Sequence, residues 1–286
     1  MQAPWSPQAA EAEGFVMDDS RDPHRTPPGL PPIQRWQQAG SLADPGEDRY
    51  YQECLASKPQ TREVLQKWAE REGFPHLLAL LEKWNLMPSG DICELGAGHC
   101  WFSAVMSLRE HVRKIYAVDA CEAMLEKGAL ATFEWLGCCP EKIQRIVGDF
   151  HNLQLPDESV DWVVFDASLH HAANPARALS EAYRILRPGG QMIAMRERTL
   201  PRLRWRSPFN NPLDRELRAY GEFEHVYPAA RYVRLIREAG FQVQVRRIFR
   251  SRRKFGLPYP AWLQALPPFR WREAKWLFRG VKPAGK

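Results

Sequence analysis

Asp91-Ile92-Cys93-Glu94-Leu95-Gly96-Ala97-Gly98-His99-Cys100-Trp101 is a strand-length apolar run that ends in a carboxylate, turns on two glycines and enters a helix-length segment. Pro88-Ser89-Gly90 separates it from two amphipathic helical stretches upstream, one with Val64, Leu65 and Trp68 on a face, the other with Leu77, Leu78, Leu80, Leu81 and Trp84. Downstream, short apolar runs alternate with helix-length segments to about residue 250, the pattern of a mainly parallel α/β sheet. Strands are expected over 91–95, 114–118, 143–147, 160–165, 191–195 and 241–249, with a last run at 274–281 that can return antiparallel. Helices are expected to start near Cys100, Glu122, Pro175 and Pro228. Asn174-Pro175 is a capped helix start, and Arg187-Pro188-Gly189-Gly190 a helix stop.

Right-handed crossovers put the ligand crevice of such a sheet beyond the carboxyl ends of its strands. The first four strands deliver Glu94, Asp119, Gly148-Asp149 and Asp166 to that rim. A glycine turn alone also serves dinucleotides, but Gly96-Ala97-Gly98-His99-Cys100-Trp101 lacks the final glycine of that fingerprint. A pyrophosphate about 4 Å from Glu94 would meet roughly 1–4 kcal/mol of repulsion. The acids suit a ligand with an ammonium, a sulfonium, no phosphate and a ribose for Asp119, which are the features of S-adenosylmethionine. Taken singly, each acid also reads as a helix N-cap.

Glu94-Leu95-Gly96-Ala97-Gly98, Val118-Asp119, Gly148-Asp149, Phe165-Asp166 and Leu186-Arg187-Pro188-Gly189-Gly190 together resemble the successive motifs of class I methyltransferases, in the small-molecule branch similar to ubiquinone/menaquinone biosynthesis enzymes. The resemblance covers about 90–197 and continues weakly to 241. It implies a Rossmann-like, doubly wound α/β sheet of seven strands with the last antiparallel. It also implies donor contacts: Glu94 near the methionine amino group, Gly96, Ala97 and Gly98 at close backbone approach, Asp119 on the ribose, Ala120 and Met124 by the adenine. Gly148, Asp149 and Phe150 fall at the adenine edge, and Asp166, Ala167 and Ser168 on the methionine side. Cys100 stands where the family often has a further glycine, which leaves His99 pointing either at the donor or away.

Transfer from a sulfonium asks the protein for alignment and, for some acceptors, a base. His171 and His170 follow the fourth strand and are candidates, against the plainer reading that they pack the loop. His225 and Tyr227 precede the helix near Pro228, at the end of a long connection over 197–227 that reads as a lid or as a surface excursion. His151 is a weaker candidate.

In a chain of 286 residues, 44% hydrophobic and 26% charged, nothing points to a membrane span or a signal peptide, so a cytoplasmic location is expected. Six cysteines without CxxC spacing suggest neither metal nor disulfides. Residues 1–48 hold eight of the 24 prolines and read as an arm or linker, 49–88 as a helical preface, and 89–286 as the catalytic domain. From Phe241 onward twelve Lys/Arg face one acid, giving a basic, aromatic end over 250–286. That end suits peripheral contact with a membrane, or else is a basic strand edge whose aromatics fold back on the core. The leading expectation is an enzyme that methylates a small or lipid-linked acceptor at oxygen. An RNA substrate gripped by the same end is the alternative, and a non-catalytic donor-binding scaffold the third. Asp166-Ala167-Ser168-Leu169, in place of Asn/Asp-Pro-Pro-Tyr, weakens the nucleic-acid reading.

Overall fold

The structure, a computed structural model, describes residues 26–37, 52–53, 55, 60–199, 227–248, 253–254, 257–258 and 275–285. Its main sheet contains β1 (Gln34–Arg35), β2 (Gly90–Leu95), β3 (Val112–Asp119), β4 (Ile143–Val147), β5 (Val160–Asp166), β6 (Leu186–Arg198), β7 (Gln242–Ile248) and β10 (Lys275–Val281). β8 (Arg253–Lys254) and β9 (Leu257–Pro258) form a separate antiparallel pair. The sheet order is β1-β4-β3-β2-β5-β6-β10-β7, with β10 antiparallel to both neighbours and the other pairs parallel. The strand order therefore reverses between β2 and β5, where a doubly wound sheet opens its crevice.

The helices are α1 (Arg62–Glu72), α2 (Phe74–Lys83), α3 (Trp101–Ser107), α4 (Ala129–Leu136), α5 (Pro175–Ile185) and α6 (Ala229–Glu238). Alternation along β2 sends Ile92 to a core that includes Leu77, Leu81 and Phe102, and Cys93 and Leu95 to the opposite core with Leu179, Tyr232 and Ile236. Truncating a buried leucine such as Leu81 to alanine is worth about 2–5 kcal/mol at such a site. Thr61 Oγ1 accepts from Val64 N to start α1, and Asn174 Oδ1 accepts from Arg177 N to start α5.

Three features differ from the sequence-based expectation. The sheet has eight strands, because Gln34–Arg35 adds to the β4 edge. Trp36 lies buried against Gly148, where a Cβ would come within 2.4 Å of its ring. Pro31 and Pro32 carbonyls accept from Arg145 and Gln144, and Arg35 pairs with Glu122. β6 runs from Leu186 to Arg198 rather than over 191–195, because β10 extends its ladder and Gly189 and Gly190 exchange backbone bonds with Lys282. The helix expected from Glu122 does start there but passes through a π-helical turn, Met124–Gly128, before α4. The arm outside 26–37 and most of the 197–227 lid and of the 250–286 basic end lie outside the described residues.

Candidate active site

The ends of β2, β3, β5 and β6 surround a cavity of about 280 Å³. Its floor is the glycine turn. Gly96 has φ 73°, and a Cβ there would sit 2.4 Å from Ser168 Cβ, so only glycine lets these two loops meet. Ser168 Oγ donates to the Leu95 carbonyl at 2.6 Å, closing the same contact. Asp119 accepts from Gly98 N at 2.7 Å and from Cys121 N at 2.8 Å, which fastens the turn to the end of β3.

Glu94 is buried and accepts from Ser103 N at 3.1 Å and from Ser103 Oγ, both on α3. Burial pushes its carboxyl up to about 8 despite the Ser103 bonds, and the charges of Asp166 and Asp119 push the same way. Asp166 is treated differently. Arg196 holds it through Nε at 2.6 Å and Nη2 at 2.9 Å, and Trp101 Nε1 donates to it at 2.7 Å. Phe74 stacks on Trp101 with ring centroids 3.8 Å apart, and the Arg196 guanidinium lies 4.4 Å from the Phe74 centroid.

Cys100, Ala167 and Arg196 all have positive φ, at 55°, 55° and 59°. A non-glycine residue in this region costs about 1–2 kcal/mol; Ala167 and Arg196 line the cavity and Cys100 opens the helix beside it, the kind of strain that clusters at ligand sites. The π-helical turn that brings Met124 to the cavity is another such mark.

A family profile described as a methyltransferase domain matches residues 93–194. This stretch is a class I S-adenosylmethionine-dependent methyltransferase domain. The chain is 32% identical, over 42% of its own length and 43% of the relative's, to a malonyl-[acyl-carrier protein] O-methyltransferase of Methylococcus capsulatus. It is 33% identical to a demethylmenaquinone methyltransferase of Staphylococcus epidermidis, over 31% of this chain and 35% of that one. It thus spans less than half the length of the curated relatives it matches. A chain from the complex of the Haloferax volcanii Trm112 methyltransferase activator with a methyltransferase has the same fold. It shows a TM-score of 0.57 and 19% identity over 85% of this chain and 100% of that one.

Within the methyltransferase domain the structure brings together most of the sequence-predicted donor residues. Glu94, Gly96, Ala97, Gly98, His99 and Asp119 line the cavity. So do Ala120, Met124, Phe150, Asp166, Ala167 and Ser168, with His171 beside them. His99 is pinned near the Trp68 ring, 4.9 Å away, and against Gly128; burial pushes its imidazole down to about 4, so it stands neutral. Gly148 and Asp149 are not among the lining residues. Gly148 makes room for Trp36, and Asp149 accepts from His151 Nδ1 at 2.5 Å and His151 N at 2.8 Å. His151 Nε2 accepts from Asn174 N, which fixes the proton on Nδ1 and gives this histidine a structural place.

His170 also turns away: its Nδ1 donates to buried Glu197 at 2.7 Å, and Glu197 caps the backbone of Leu169 and His170. Tyr227 packs on Tyr232 under Arg231 instead of lining the cavity. His225 lies outside the described residues. Trp68, Glu72, Trp101 and Arg196 line the cavity without having been singled out in the sequence. Among the described residues no His/Cys/Asp/Glu group could hold a metal ion, and no helix is long and apolar enough to cross a membrane.

Proposed function

We propose that the chain uses S-adenosylmethionine to methylate a small or amphiphilic acceptor at oxygen. The observation that carries this reading is the cavity rim, with Glu94, Asp119 and Asp166 converging from β2, β3 and β5 around glycines that admit close backbone approach. The residues fit the donor. Arg196 is the one Lys or Arg among the described lining residues, and it stands beside Asp166 on the methionine side of the rim, away from the glycine turn where a dinucleotide's pyrophosphate would lie. A volume of about 280 Å³ lies close to the lower end of ligand pockets, roughly 300–1,000 Å³, and suits one extended ligand. The oxygen assignment draws on the relative named as an O-methyltransferase.

When bound, the donor supplies a methyl group already activated on sulfonium sulfur. The chain's own residues then have to align the acceptor, keep water out and take up a proton. Glu94 would meet the ammonium, Asp119 the ribose, and the Asp166–Ser168 turn the methionine chain. His171 borders that turn and would orient an acceptor hydroxyl or accept its proton; His225, outside the described residues, stays a candidate to assist it, and Tyr227, packed on Tyr232, does not. The basic 250–286 end would hold an amphiphilic acceptor at a membrane surface.

Calorimetry with S-adenosylhomocysteine tests the donor site, and absence of binding overturns the reading. Mass spectrometry of co-purified small molecules, lipids or RNA fragments then separates the acceptor classes. His171→Ala is expected to lower turnover about 10²–10⁴-fold with donor affinity unchanged. Unchanged turnover removes His171 from the chemistry.

A further inference from the structure

Two cations converge on one oxygen at the edge of the cavity. Lys275 Nζ donates to Glu72 Oε2 at 3.0 Å, and Arg196 Nη1 reaches the same oxygen at 3.4 Å. Arg196 is buried with its side chain 7% exposed, whereas Glu72, which also lines the cavity, is 28% exposed. The remaining polar reach of Arg196 is spent on Asp166. Arg71, largely exposed, also lies 3.5 Å from the other Glu72 oxygen. Without an anion at the Glu72 position, Arg196 and Lys275 would have Asp166 alone to offset them among the groups named here.

Local structure does not favour Glu72 in that place. It is the last residue of α1, where the helix dipole presents its negative end and a cation such as the neighbouring Arg71 is the favoured choice. The two cations hold it there instead. Gly73 follows with φ 80°, its N–H closing the end of α1 on the Ala69 and Glu70 carbonyls, so α1 is held in place and an exchange at this site needs only the Glu72 side chain to swing out. Arg196 and Lys275 are anchored separately, on the paired strands β6 and β10. An acid set against its own helix at the edge of a ligand cavity is the kind of local conflict that functional sites retain.

We propose that Arg196 and Lys275 form a binding site for an oxyanion group of the acceptor, carboxylate or phosphate, and that Glu72 occupies this site until the acceptor displaces it. The assignment rests on the methyltransferase reading and names its acceptor class. A guanidinium beside an ammonium is the donor set that recognises such a group. Exchange of one anion for another leaves the charge of the cluster unchanged. Trp68, one turn back on α1 and also lining the cavity, offers the face for the acceptor's apolar part.

The test titrates inorganic phosphate and acetate, separately, into full-length wild-type, Glu72→Gln and Glu72→Ala proteins saturated with S-adenosylhomocysteine at low ionic strength. Removing the internal competitor is expected to raise anion affinity on the order of tenfold, because the competent fraction of sites is no longer held by Glu72. Phosphate and acetate tell which oxyanion geometry the site prefers. Adding Lys275→Gln to Glu72→Gln should return the affinity toward wild type. If either Glu72 variant folds, binds S-adenosylhomocysteine as wild type does, and takes up neither anion more tightly, the oxyanion site is wrong and the cluster is a structural tie. If wild type itself fails to bind S-adenosylhomocysteine, the methyltransferase reading falls, and the acceptor assignment with it.

Discussion

Glu94 and Asp166 end adjacent strands and face one cavity, yet the protein neutralises them in opposite ways. Asp166 is held by a bidentate guanidinium and an indole N–H. Glu94, among the described residues, accepts hydrogen bonds from Ser103, and burial pushes it up to about 8, so at neutral pH it mostly keeps its proton. The first is part of the fixed architecture. The second is a carboxyl that ionises when a cation arrives, which is the behaviour expected of a group reserved for a ligand ammonium.

The largest effect should come from breaking the fixed side. Asp166→Ala leaves a buried Arg196 guanidinium with Glu72 as its remaining ionic partner, at 3.4 Å, and should cost about 3–5 kcal/mol in denaturant unfolding. A loss below about 1 kcal/mol, the scale of an exposed pair, would mean that the two carboxylates are not different in kind.

Breaking the reserved side should do the reverse. Glu94→Gln is expected to weaken S-adenosylmethionine binding about 10–100-fold, as for a lost charge-assisted hydrogen bond, while leaving the donor-free fold intact. Donor affinity unchanged by Glu94→Gln would remove the ammonium role.

The sign of the pH response sharpens the contrast. The folded carboxyl titrates near about 8 and the unfolded one near 4.5. Below 4.5 both states carry the proton. Between the two values the folded state binds more protons than the unfolded, so donor-free stability falls as pH rises, and the loss is complete above about 8. Thermal melts from pH 5 to 9 should show this fall in wild type and a flatter profile in Glu94→Gln. Donor affinity should move the other way in wild type, rising with pH until Glu94 is ionised. A donor affinity that is level across this range would contradict the protonated resting state.

The smallest expected effect concerns the helix that presents Ser103 to Glu94. Its N-cap, Cys100, has φ 55°. Cys100→Gly should be more stable than Cys100→Ala by about 1 kcal/mol, because only alanine keeps the left-handed strain. Equal stabilities would show that the turn relaxes without cost.

The acids at the rim were legible because a strand end fixes where its next side chain goes, and Glu94, Asp119 and Asp166 each follow a clear apolar run. Asp149 obeyed the same rule and was still taken by His151, two residues on, since sequence does not say which neighbour an acid will choose. Arg196 obeys the rule too. It was passed over because only acids were sought at the strand ends, and its place at the cavity depends on a bulge in the β6–β10 ladder, whose other strand lies about eighty residues away. Trp68 and Glu72 carry no local signal; they reach the cavity only through the way α1 lies on the sheet. The two-residue strand Gln34–Arg35 is too short to have a period at all.

That small strand nonetheless shapes the sheet's outer edge. Gln34–Arg35 pairs with Ile146 and Val147, the C-terminal end of β4, and Trp36 seals the seam over Gly148. The exposed edge beside the donor rim is thereby a two-residue strand that carries a charged side chain, the kind of short, charged edge that gives a neighbouring chain little to pair with.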